Sequence, residues 1–207
     1  MSRADEFPVA SNPFSTRFTR PGALPYHFAG THSAAELIEQ FLAQGRRGQI
    51  VGPHGSGKST LLATLVKALE QRGLSPALFT LHDGQSRLPR AFFTSEGDNR
   101  RIVIIDGYEQ LGRWHRWRMA QRCRRRDWGL LVTCHQPLKF PVLYQTGVDI
   151  SLALWLVREL LPPGEERIRD EDVRTAFQAQ DGNLRETFFA LYDDYEARRA
   201  ARTLPGR

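Results

Sequence analysis

The sequence predicts an α/β fold: a parallel sheet with helices on both faces, then a small C-terminal helical lid. Three observations predict it. Gly48 to Thr60 reads as a buried strand, a glycine-rich loop and the start of a helix. Strand-like and helix-like segments then alternate as far as Tyr144, the pattern that lays strands side by side in parallel. From Asp149 onward the pattern is helical. The division that follows is an irregular arm over 1–32, an α/β core over 33–148, and a helical lid with a basic tail over 149–207.

Each element has its own signals. The arm is rich in Pro, Ser, Thr and aromatic residues without a helical period, and Phe7, Phe14, Phe18, Tyr26 and Phe28 are its anchors to the core. Ser33-Ala34-Ala35-Glu36 is a capping box opening a helix with Leu37, Ile38, Phe41 and Leu42 on one face and Gly45 as its stop. The helix after the glycine loop runs from Lys58 to about Arg72, burying Leu61, Leu62, Leu65, Val66 and Leu69. Pro76 to His82 is a second strand, and 83–99 is loop-like with at most a short helix around Leu88 to Phe93. Arg101 to Asp106 is a third strand, apolar on both faces as a central parallel strand is. A helix over Glu109 to Arg126, a strand over Trp128 to Cys134 and a short strand over Pro141 to Tyr144 complete the core. In the lid, Asp149 and Asp170 cap two helices, and Asn183-Leu184-Arg185-Glu186 opens a last one.

Gly52-Pro53-His54-Gly55-Ser56-Gly57-Lys58-Ser59 satisfies G-x-x-x-x-G-K-[ST], with Thr60 following, and its chemistry explains its spelling. Glycines let successive backbone N–H groups turn inward on an anion. The helix start adds positive potential, and Lys58 adds a full charge for the terminal phosphates. Ser59 is placed to give a hydroxyl to Mg²⁺. Ile102-Val103-Ile104-Ile105-Asp106 is the second signal: an apolar strand ending in an acid that can hold the Mg²⁺ shell beside the loop.

These two motifs with an intervening strand resemble the ASCE branch of P-loop NTPases. In that branch a glutamate, often directly after the Walker B aspartate, activates the attacking water. Gly107 stands there in this chain, and the next acid is Glu109, which is either that base or a helix-start acid favoured by the dipole. Thr133 at the end of the fourth strand resembles sensor 1 of AAA+ ATPases, with His135 as a second candidate and a plain strand-end hydroxyl as the other reading of Thr133. Asp181-Gly182-Asn183-Leu184-Arg185-Glu186 resembles the AAA+ sensor 2 motif, which would bring Arg185 to the phosphates from the lid helix. No LSGGQ-like signature accompanies Thr133 and His135, which argues against an ABC ATPase. The resemblance to small AAA+-like ATPases covers roughly 33–195 and implies ATP and Mg²⁺ as ligands, ATP/ADP exchange and a macromolecular partner.

At 207 residues, 41% hydrophobic and 25% charged, the chain has the composition of a globular protein. No apolar run reaches the roughly 18 residues of a membrane span. Its start lacks a signal peptide's apolar stretch, so the expected location is cytoplasmic and no membrane role is expected. Cys123 and Cys134 are expected to be packed, reduced thiols. The net charge of +6 comes almost wholly from arginine, since only Lys58, Lys67 and Lys139 are lysines. Arg118, Arg122, Arg125 and Arg126 form a positive stripe within 118–126 that could meet phosphate backbones, with Trp114 or Trp117 stacking on bases; a solvated face or a protein contact are its other readings. Tyr26 or Phe28 could stack on adenine or simply pack.

Three functions remain open on these grounds. One is an ATPase coupling nucleotide state to lid movement and to a partner or self-association. The second is a non-hydrolysing switch, suggested by Gly107 after Asp106. The third is a small-molecule or nucleotide kinase, disfavoured by the lack of an Arg-rich lid. A GTPase is disfavoured too, because no N-K-x-D signature appears.

Overall fold

The computed structural model describes residues 11–28, 30–82, 84–90, 92 and 98–203. The expected anchor Phe7, Ala91 and Phe93 of the stretch around Leu88 to Phe93, and the last residues of the basic tail lie outside them. The described chain forms two compact units. One contains Pro25–Pro53 and Lys58–Thr146; the other contains the arm up to Leu24, the short piece His54–Gly57, and the chain from Gly147 on.

The larger unit is built on five parallel strands: β1 (Arg47–Val51), β2 (Ser75–Thr80), β3 (Arg101–Asp106), β4 (Gly129–Cys134) and β5 (Val142–Gln145), in the order β2-β3-β4-β1-β5. β3, β4 and β1 sit in the middle and are buried on both faces because helices cover both. α1 (Ala34–Ala43) and α2 (Lys58–Gln71) press Leu37, Phe41, Leu61 and Leu65 against Ile50, Ile102, Ile104 and Leu131. α3 (Arg113–Arg125) closes the opposite face, where Met119 and Cys123 meet Val103, Ile105, Leu130 and Val132. The period of two along β3 thus sends alternate residues into separate cores. β2 is an edge strand, exposed along half its length and carrying Pro76 where one ladder bond can be spared.

One element differs from the sequence reading. The helix expected from Glu109 begins only at Arg113; Tyr108–Gln110 is a separate 3-10 turn. Gly107 before that turn is left-handed (φ 84°), and Leu111 and Gly112 are extended, so the helical path is broken on both sides.

The smaller unit holds α4 (Ile150–Leu160), α5 (Asp170–Ala179) and α6 (Leu184–Thr203). Asp149 caps α4 by accepting from Leu152 N at 2.8 Å. Asp170 is the first residue of α5 rather than its cap; Asp172 instead accepts from Arg169 N at 2.8 Å. Their core gathers Val157, Leu160, Val173, Phe188 and Leu191. Phe14 of the arm lies in this core, against Phe188 and Tyr195, and Asn12 Nδ2 donates to Tyr192 O and Glu196 Oε1, both at 3.0 Å. The arm therefore divides: Asn12 to Leu24 joins the helices, and Tyr26 and Phe28 pack edge-on with Tyr144 in the sheet unit. No described helix is long and apolar enough to cross a membrane.

Candidate functional site

The glycine-rich loop leaves β1 at Val51 and enters α2 at Lys58. Gly52 N donates to Cys134 O at 3.2 Å, fixing the loop's exit beside β4. Gly55 and Gly57 take φ of 69° and 87°, a region that costs other residues strain. Ser56 is buried, and Pro53 and His54 are exposed. Lys58 is nine-tenths buried, and its ammonium donates to Gly52 O and Pro53 O, each at 2.6 Å. The lysine thus bends back over the loop's own carbonyls. Thr60 lies in the first turn of α2, half-buried, its carbonyl accepting from Thr64 Oγ1 at 3.2 Å.

Beside the loop's exit, three sequence-nominated residues meet in one hydrogen-bonded row. Ser59 Oγ donates to Asp106 Oδ2 at 2.6 Å, and Thr133 Oγ1 donates to Asp106 Oδ1 at 2.6 Å. Gly107 N in turn donates to Thr133 Oγ1 at 2.9 Å. The parallel register explains the meeting. Asp106 ends β3, Thr133 nears the end of neighbouring β4, and β1 beyond it delivers the loop, all at the strands' C-terminal edge. Thr133 is 1% exposed, so its hydroxyl is a support for the carboxylate rather than an open donor.

Glu109 sits in the 3-10 turn and pairs with His135, Nδ1 to Oε1 at 3.0 Å. Its other oxygen, Oε2, is buried and has no hydrogen-bond partner among the described residues. Such an oxygen is costly to leave unmet and is poised to accept a proton or a donor. Arg116 braces the turn from α3, donating to Glu109 O and Leu111 O at 2.7 Å each while its guanidinium lies 5.1 Å over the Tyr108 ring. Gly107 leaves no room for an acid directly after Asp106: a Cβ there would lie 2.8 Å from Leu81 O, on left-handed backbone.

In the helical unit, Asn183 caps α6 by accepting from Arg185 N at 3.1 Å and Glu186 N at 3.3 Å. Its Oδ1 also stands where a Cβ on Gly55 would be, 1.9 Å from it, so the loop's crown rests on the helix cap. The sequence reading had given Gly55 only a phosphate role. The signal for the contact was present in Asp181-Gly182-Asn183, a left-handed turn that aims Asn183 (φ 49° at Asp181, 77° at Gly182). Arg185 is exposed on the first turn of α6. Burial pushes the Cys123 and Cys134 thiols up to about 11, so both are poor nucleophiles.

No protein-family model matches the chain, and no curated protein sequence does. Solved structures do match. A RuvB structure from Thermotoga maritima superposes at a TM-score of 0.53 and 12% identity, over 78% of this chain and 60% of that one. A second from the same organism gives 0.54 at 9% identity, over 84% and 71%. Hsp104 from S. cerevisiae, a complex with ADP, gives 0.56 at 14% identity, over 91% of this chain and 33% of that one. The chain therefore spans 60% of the length of the first RuvB structure matched. At these identities the likeness is one of fold: a five-stranded parallel sheet flanked by helices.

Proposed function

We propose that the chain binds ATP with Mg²⁺ at the Gly52–Thr60 loop and hydrolyses it, as a small AAA+-like ATPase. The observation that carries the reading is the row Ser59–Asp106–Thr133 beside a buried, loop-facing lysine. The donor set fits Mg²⁺, since a hydroxyl and a carboxylate are hard oxygen ligands held 2.6 Å apart. Among the described residues no three His, Cys, Asp or Glu side chains gather as a metal site, so the remaining ligands would be phosphate and water, as this ion prefers. Bound there by Ser59 and Asp106, Mg²⁺ would neutralise phosphate charge.

The chain's own groups do the rest. Lys58 exchanges its two carbonyl partners for phosphate oxygens when the loop fills, and backbone N–H groups between His54 and Ser59 take the other oxygens. Glu109 is the general base, its free Oε2 accepting a proton from water while His135 holds Oε1 in place. Arg185, exposed at the start of α6, is the residue that the sensor 2 resemblance nominates for phosphate, and within its own unit the Asn183 cap of that helix lies against Gly55. Exposed Trp155, Phe189 and Tyr192 on the helical unit support a protein partner or self-association there.

The second reading, a non-hydrolysing switch, is favoured by Gly107, because the position after Asp106 cannot carry the acid. One experiment separates the two. ATP affinity and steady-state hydrolysis are measured with Mg²⁺ for the wild type, Lys58→Ala and Glu109→Gln. Lys58→Ala is expected to abolish binding. Glu109→Gln is expected to keep ATP affinity and lose roughly 10²–10⁴-fold in turnover, the worth of a general base. Normal ATP affinity in Lys58→Ala sinks the nucleotide assignment; unchanged turnover in Glu109→Gln sinks its role as base.

A further inference from the structure

A second binding surface lies on α3, and we propose that it holds single-stranded nucleic acid, with bases on a tryptophan pair and phosphates on an arginine row. Trp114 and Trp117 are 62% and 53% exposed, an uncommon position for two such large apolar side chains. They stack on each other, with ring centroids 5.0 Å apart and planes 21° from parallel. The outer π-face of such a pair continues the stack for one more flat ring.

The helix continues as a cation row. Trp114, Trp117, Arg118, Gln121 and Arg125 recur at i, i+3, i+4, i+7 and i+11, one face of a 3.6-residue period, opposite the buried Met119 and Cys123. Arg113 to Arg126 contains seven arginines and no acid. Asp127, the next acid in sequence, is engaged by Arg46 at 2.7 Å. Trp117, Arg118, Gln121, Arg122, Arg125 and Arg126 line one shallow concavity beside the stack. Arg122 is the half-buried member, its guanidinium 5.3 Å over the Trp128 ring. From Trp114 to Arg125 the strip runs about 16 Å at 1.5 Å per residue, room for a few nucleotides.

The chemistry selects the occupant. Like charges four apart, as in Arg118–Arg122 and Arg122–Arg126, weaken a helix, and a polyanion relieves them. Protein interfaces enrich Trp and Arg too, but their cores are depleted of charge overall, whereas this helix carries seven arginines and no acid between Arg113 and Arg126. A duplex offers phosphates but keeps its base faces stacked inside, so only a single strand uses both halves of the strip. The proposal is independent of the nucleotide reading.

The test uses a fluorescein-labelled 20-mer of oligo(dT), read by anisotropy in about 50 mM salt without nucleotide, against the same length as duplex. Wild type is expected to bind the single strand more tightly than the duplex. Trp114→Ala with Trp117→Ala should weaken it about tenfold or more, as loss of base stacking does. Arg118→Ala with Arg125→Ala should lower the log–log salt slope by about 1.4, the share of two single-strand phosphate contacts. Arg174→Ala on α5, the loss of one arginine elsewhere, should leave both unchanged; the substituted residues are exposed, and circular dichroism checks that each variant is folded. No binding at roughly 100 µM protein, equal affinity for duplex, or wild-type affinity in the tryptophan variant overturns the proposal. The last would fit a protein or a plain counterion surface instead.

Discussion

Thr133 uses both halves of its hydroxyl, donating to Asp106 and accepting from Gly107 N. Thr133→Val keeps its volume and removes both bonds, so it should cost about 1–3 kcal/mol of stability by stranding Gly107 N and one carboxylate oxygen. Because the loss falls on Asp106, nucleotide affinity should drop more with Mg²⁺ present than with EDTA; equal losses would show that Asp106 does not serve a metal. Gly55 offers a second residue-scale test. A methyl there meets Asn183 Oδ1 and requires left-handed backbone at φ 69°. Gly55→Ala should therefore destabilise the chain, and Asn183→Ala alone should cost about 1 kcal/mol as a lost helix cap. The double variant should be more stable than the sum of the two losses, because the obstruction is shared. Strict additivity in thermal melts would mean that the two residues do not touch in solution.

At the scale of elements, the residue that ties the sheet together was invisible in the sequence. Gln49 lies on central β1, fully buried, where an apolar residue is the default. Its amide donates to Leu138 O at 3.0 Å and Phe140 O at 2.6 Å, and its oxygen accepts from Leu138 N at 2.8 Å. It thereby holds the segment that leads from β4 to β5. Gln49→Leu fits the space and leaves those backbone groups without that partner. Urea unfolding should register a loss of roughly 3 kcal/mol or more, on the order of 1–3 for each of the three stranded groups; a loss under about 0.5 would mean water takes the vacated bonds. No periodicity reports such a residue, since its partners are backbone groups 89 and 91 positions away. The strands themselves were legible, because Ile102 to Ile105 is apolar on both faces and only a central parallel strand needs that. The glycine-rich loop between β1 and α2 was legible because its pattern is local: glycine, lysine and hydroxyl are contiguous. The Glu109–His135 pair was not, being made by two loops that only the sheet order brings together. The start of α3 was misread for a third reason. Gly107 had been weighed as a missing acid, while its left-handed backbone was what ended the regular path.

At the scale of the molecule, acid should act first on the helical unit, because its strongest charge pairs are concentrated there. Glu165 accepts from Arg167 Nε at 2.8 Å and from Tyr195 Oη at 3.0 Å, and Arg167 also lies 4.2 Å over the Tyr195 ring. The Arg167 hydrogen bond, chiefly, holds the Glu165 carboxyl down at about 2. Asp172 forms a two-pronged pair with Arg198, both bonds 2.7 Å, and that hydrogen bonding holds it below the usual carboxylate range. These bonds tie the segment before α5, and α5 itself, to α6. A carboxyl with a depressed folded value binds protons more readily when unfolded. Its contribution is therefore complete above its ordinary value near 4 and is lost as pH falls toward its folded value, about 2 for Glu165. In the sheet unit, Asp98 is also lowered by Arg100, but that group is fully exposed and solvent screens it. Hydrogen exchange at pH 7, 5 and 3 should show protection over 150–203 falling before protection in β1, β3 and β4. Glu165→Gln should lower protection of the helical unit at pH 7 and flatten its loss between about pH 5 and 3, since the amide has no proton to gain. Simultaneous loss in both units with the same midpoint in wild type and variant would place the acid-sensitive charges elsewhere in the chain.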